Sequence, residues 1–209
     1  MSARPLAVLL VSAVALAGCG STKLLSSTSS TATSSSGSAS GSAKPSGSGT
    51  ATAAAPAGTV KSADGRFATV VPRGFADNTK TVQGGTVNIQ YLAIGPRSDG
   101  FATNINVVRE QSQGASDIDK ITSLEIAGIK RFEAKAHQFS QIQSLTVDGE
   151  PARSVDYLSQ PGDRPLHQLQ VFVARGAWIY TITYSALPTD YSDNVSAMAQ
   201  VTSGWHWLA

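Results

Sequence analysis

Three histidines, one cysteine and a row of aromatic side chains are the residues of this 209-residue chain whose types could do chemistry. His137, His167 and His206 stand far apart in the sequence. No two are four residues apart and no His-Glu-x-x-His run occurs, so the spacing that offers zinc two imidazoles from one helix face is missing. Nucleophilic catalysis needs a Ser or Cys held by a base, and no Gly-x-Ser-x-Gly elbow is present. An acid–base pair would require the fold to bring His137 or His167 to Asp156 or Asp163. Asp117 and Asp119 fall in the first turn of an expected helix, where negative charge favours the dipole. They therefore read as a helix start rather than as calcium ligands. Gly84-Gly85 and Gly95-Pro96 fit no phosphate-loop spacing. The expectation is a protein that is not an enzyme and carries no cofactor and no metal. What remains is aromatic: Trp178, Tyr180 and Tyr184 share one face of an expected strand by period two. Such a row is either core packing or the wall of a groove that takes an acyl chain or a partner.

Cys19 has a different reading. It directly follows Leu16-Ala17-Gly18, after an apolar run from Pro5 to Ala17 with Arg4 in front. A short positive region, an apolar stretch and small residues make a secretory signal. The run is too short to span a bilayer, which takes ~20 residues. Leu16-Ala17-Gly18-Cys19 resembles the lipobox of bacterial lipoproteins. That resemblance implies a diacylglyceryl group on the Cys19 sulfur, cleavage before Cys19 and an anchor of acyl chains. Each buried methylene of such chains contributes ~0.8 kcal/mol. Ala15-Leu16-Ala17 also fits the cleavage site of ordinary secretion, which would release a soluble protein.

The expected organisation is a signal peptide over 1–18, a tether over 19–58 and one domain over 59–209. The tether is Ser, Thr, Ala and Gly with few charges and almost nothing to bury, so it cannot offset the entropy of ordering. A flexible coil of about forty residues spans ~35 Å r.m.s.. It serves as a spacer or as a glycosylated stalk. The remaining stretch is one ordinary domain. The net charge of the chain is +2 and no Lys/Arg cluster stands out, which argues against nucleic acid.

Within 59–209, period-two alternation predicts strands over Phe67–Val71, Thr86–Ile94 and Phe101–Val108. Gly95-Pro96 ends the second, and Asn104 and Asn106 face away from Phe101, Ile105 and Val107 in the third. Ser116 is the expected cap of a helix over Asp117–Ala136, with Asp119 completing a capping box. Two hairpins follow, Phe139–Val147 with Ala152–Leu158 and Leu166–Val173 with Trp178–Ser185. Asp148-Gly149 turns the first, Pro151 suggesting a slightly longer loop, and Arg175-Gly176 turns the second. Thr189 is the expected cap of a last helix over Pro188–Met198. Gly204 ends it, and Trp205-His206-Trp207 forms a short strand or packed tail. Hairpins without βαβ units give an α+β domain, a mainly antiparallel sheet flanked by helices.

This element order resembles the Mog1/PsbP-like fold, an α/β/α sandwich. The carrying segments are Phe101-Ala102-Thr103-Asn104-Ile105-Asn106-Val107, the amphipathic helix, the hairpins around Val147-Asp148-Gly149-Glu150-Pro151-Ala152-Arg153 and the closing helix. Together with the lipobox they are similar to the LpqN/LpqT-type lipoproteins of mycobacteria and other actinobacteria. The resemblance implies a lipid-anchored protein on the extracytoplasmic face of the cell membrane. It would be an accessory or binding module that assists envelope lipid handling through contacts with proteins or lipids. A carrier of a small apolar or acylated ligand and a hydrolase with an unfamiliar site are the alternatives.

Overall fold

The computed structural model describes residues 58–83, 87–112, 114–133 and 135–208. The leader, Cys19 and all of the tether but Gly58 lie outside the described residues. In chain order come β1 (Thr59–Lys61), β2 (Phe67–Val70), β3 (Ala76–Asp77), a 3-10 turn (Thr79–Val82), β4 (Ile89–Ser98) and β5 (Phe101–Gln111). They are followed by α1 (Ile118–Phe132), β6 (Gln143–Val147), β7 (Glu150–Ser159), β8 (Leu166–Arg175) and β9 (Trp178–Ala186). The chain closes with α2 (Tyr191–Asn194), α3 (Ser196–Ser203) and β10 (His206–Trp207). Seven strands form one antiparallel sheet in the order β3-β4-β5-β9-β8-β7-β6, and three form a second, β1-β2-β10. The expected α+β class holds.

Local chemistry explains where the elements differ from the sequence reading. β4 does not stop at Gly95-Pro96. A register shift between Ile94 and Arg97 carries it on to Ser98, since a bulge keeps the missing Pro96 N–H out of the ladder. Gly95 is needed there because the Phe75 ring lies against its backbone; a Cβ would stand 2.6 Å from that ring. Asp117, rather than Ser116, caps α1: its Oδ1 accepts the N–H of Asp119 at 2.9 Å and of Lys120 at 3.4 Å. The β6–β7 turn is the two-residue kind, Asp148 at φ 44° and Gly149 at φ 85° between the paired Val147 and Glu150. Pro151 does not lengthen it but sits in the strand opposite Thr146. The closing helix is split into α2 and α3, and the Thr189 hydroxyl meets Asp190 Oδ1 at 3.0 Å rather than capping a backbone N–H. Gly204 ends α3 as expected, and the closing segment is the short strand β10, which pairs with β2.

The large sheet has two cores. On its first face, Tyr91, Ile105, Val107, Val171, Tyr180, Ile182 and Tyr184 pack with Phe67, Trp205 and Trp207 of the small-sheet layer and with Ala197, Met198 and Val201 of α3. Phe67 and Trp205 stack at 3.8 Å. On the second face, Ile129 of α1 packs on Val155, Tyr157 and Phe172. Val82 of the 3-10 turn packs on Ile89, Leu92 and Val108.

Candidate functional site

The aromatic row lies on the first face. Tyr180 and Tyr184 are buried and Trp178 is half-buried. The cover over Tyr180 is the small-sheet layer rather than a helix: the Tyr180 ring sits 5.8 Å from Phe67, 6.2 Å from Trp205 and 5.0 Å from Trp207. Tyr184 donates its hydroxyl to the Tyr191 carbonyl at 3.0 Å, and burial raises its pKa well above the ordinary tyrosine value. Trp178 carries the Arg109 guanidinium 4.1 Å above its ring. Arg109 is itself paired with Asp64.

The second face carries a feature the strand periodicities did not announce. Asn104, Asn106, Gln168, Gln170, Thr183 and Ser185 all point to it, and all are buried. Cross-strand pairing sets them in two rows, Gln168–Ser185–Asn104 and Gln170–Thr183–Asn106. Gln168 Nε2 donates to Ser185 Oγ at 3.1 Å and Gln170 Nε2 to the Tyr157 hydroxyl at 3.0 Å. That hydroxyl donates in turn to Glu133 at 2.7 Å. Burial raises the Glu133 pKa, and the Tyr157 hydrogen bond works against the rise. Asn106 is 1 % exposed, yet neither its amide oxygen nor its nitrogen has a partner. Apolar clusters under α1 and under the 3-10 turn flank this strip. Glu110 of β5 and Glu125 of α1 lie close enough to interact; burial and the Glu110 charge push Glu125 up to about 7. A sequence signal existed. The outward positions of three central strands hold amides and hydroxyls, whereas a solvated face would carry Lys and Glu.

Of the candidate acid–base groups, the fold joins His167 to Asp156, Nε2 to Oδ1 at 3.4 Å. The His167 ring also stacks on Tyr191 at 3.4 Å. His137 turns instead to the Lys135 carbonyl, 2.6 Å from Nδ1. His206 stands 3.9 Å from Asp148. Asp163 lines a cavity of about 670 Å³ at one end of the sheet, with Asp99, Arg164, Leu187 and Thr189. Arg164 braces that end by donating to the Asp99 carbonyl at 2.7 Å. Among the described residues no group of three His, Cys, Asp or Glu is placed to hold a metal ion. No described helix is long and apolar enough to cross a membrane.

Comparison with known proteins places this geometry. The DcrB family matches residues 68–203. No curated protein matches the chain. Among solved structures, LpqN, involved in cell envelope biogenesis of Mycobacterium tuberculosis, has a TM-score of 0.58 at 12% identity, covering 72% of this chain and 90% of its own. Cyanobacterial PsbP from Synechocystis has a TM-score of 0.51 at 14% identity, covering 77% of this chain and 98% of its own. At these identities the likeness is one of fold, and the fold is the expected PsbP-like one.

Proposed function

The chain belongs to the DcrB family, and from that premise we propose that it is a non-catalytic, lipid-anchored cell-envelope protein of LpqN/LpqT character. It acts as an accessory or binding module in envelope lipid handling, on the extracytoplasmic face of an actinobacterial cell membrane. The observation that carries this reading is Leu16-Ala17-Gly18-Cys19, a sole cysteine placed directly after an export signal and ahead of a Ser/Thr-rich tether. The likeness in fold to LpqN, a protein involved in cell envelope biogenesis, supports the envelope assignment. The test is the intact mass of protein purified from membranes of cells fed a traceable fatty acid. The expected species begins at Cys19 and carries added acyl mass, and Cys19→Ser releases the protein from the membrane. A mature chain beginning at Gly18 or Gly20 with no acyl mass would sink the proposal.

A ligand carrier is the second reading, favoured by the buried, unpartnered Asn106 amide on the polar strip of the second face. The opposing reading is a hydrolase built on His167 and Asp156. A hydrolytic activity abolished by His167→Ala would establish it and overturn the non-catalytic assignment.

A further inference from the structure

The outer side of α1 is a cationic and apolar stripe. Lys120, Ser123, Leu124, Ala127, Lys130 and Arg131 are exposed. Their spacing of three and four residues puts them on one side of the helix, opposite the buried Ile121, Thr122 and Ile129. The acids of the same segment are engaged elsewhere. Asp117 is spent on the helix cap. Asp119 is held by Arg153, whose Nε and Nη2 donate to its two oxygens at 2.6 and 3.2 Å. Glu133 is buried against Tyr157. Glu125 sits on the sheet side of the helix near Glu110. Among the described residues none of Lys120, Lys130 and Arg131 takes part in an ion pair, although the Lys130 ammonium lies 4.9 Å over the Phe139 ring. Leu124, on the same side, is 41% exposed. The Arg131 guanidinium lies 4.9 Å over the Phe132 ring.

We propose that this side of α1 docks on an anionic lipid surface, with Lys120, Lys130 and Arg131 at the headgroups and Leu124 entering the interface. Unopposed cations beside exposed apolar side chains fit such a surface. The docking rests on the lipid-anchor reading, which keeps the domain beside a bilayer. About forty residues separate Cys19 from Thr59, chain length enough for α1 to meet the lipid surface that holds the anchor.

The probe is co-sedimentation with vesicles of phosphatidylcholine, with or without phosphatidylglycerol. The protein is the chain from residue 19 onward carrying Cys19→Ser, so no acyl group contributes. Wild-type stripe residues give binding to the anionic vesicles that weakens with salt and is absent on phosphatidylcholine alone. Each cation removed lowers the partition about fivefold, so Lys120→Gln, Lys130→Gln and Arg131→Gln together lower it by roughly a hundredfold, and Leu124→Ala lowers it further. These side chains are exposed, and an unchanged circular dichroism melt confirms that each variant is folded. Anionic binding that survives the triple substitution, or no vesicle binding by the parent chain, overturns the docking. Acyl mass on Cys19 is measured separately, so failure of the anchor and failure of the docking are told apart.

Discussion

Asn106 is the side chain whose environment fits its chemistry least. Its amide is buried, both polar atoms lack partners, and Leu92 and Thr183 are its cross-strand neighbours. A buried polar group without a partner costs ~1–3 kcal/mol. Asn106→Leu therefore raises stability by about 1–2 kcal/mol, read as a melting temperature ~2–8 °C higher. A lower melting temperature would show that the amide is satisfied in solution. If the strip holds a ligand, the stabilised variant loses it. Glu125 makes a second residue-scale case. Its folded pKa, about 7, stands above the ordinary 4.5 because of burial first and the Glu110 charge second. Between those values the folded state keeps a proton that the unfolded chain has released. The stability from this group is complete below the unfolded pKa and falls as pH rises through the folded one. Glu125→Gln flattens that slope between about pH 4.5 and 7 and, with solvent screening at a partly exposed site, raises stability at pH 8 by about 1–2 kcal/mol. A slope unchanged by the substitution would remove Glu125 as its source.

At the scale of elements, the hairpins were legible and the layers above them were not. Period-two alternation found β5, β7, β8 and β9 because each has one face in the aromatic and aliphatic core. The same rule said less of the opposite face. Alternation sets Asn104 and Asn106 on the face away from Ile105 and Val107 but does not say that this face, too, is buried. Only the lack of charge across three strands betrayed it, and that pattern emerges once the strand order is known. Pro96 and the α2–α3 break were hidden for another reason. A bulge and a split helix are settled by neighbours, here the Phe75 ring over Gly95, not by local propensity. The stripe on α1 was likewise dispersed: Lys120 and Lys130-Arg131 form no run in sequence and converge only through the helix. That helix depends on its cap. Asp117→Ala costs about 1 kcal/mol, measured by denaturant titration, while Ser116→Ala leaves the midpoint in place. The reverse order of effects would return the cap to Ser116.

For the molecule as a whole, the C-terminal strand closes the first core. β10 pairs with β2, setting His206 opposite Ala68 and Trp207 opposite Phe67. Leu208 N–H donates to the Arg66 carbonyl at 2.8 Å. Trp207 N–H donates to Asp148 Oδ2 at 2.7 Å, which ties the small sheet to the β6–β7 turn of the large one. Trp205 is 1% exposed, stacks on Phe67 and meets Tyr180 and Trp207 edge-on. The energetic order of these contacts follows from their kinds. Trp205→Ala removes a filled aromatic site and costs about 3–5 kcal/mol. Asp148→Ala removes a hydrogen bond to a charged acceptor and the His206 contact, and sets Ala at φ 44°, and costs about 1.5–3 kcal/mol. Truncation after Gly204 loses both tryptophans and the β2 partner together. Against a total stability of ~5–15 kcal/mol, it leaves a chain whose near-ultraviolet circular dichroism is lost at temperatures where Asp148→Ala remains native. A truncated protein that melts with the wild type would mean that the small sheet is decoration on the large one. Coincident loss of tryptophan and far-ultraviolet signals in Trp205→Ala would show that the two cores unfold as one unit, because the large sheet is shared by both.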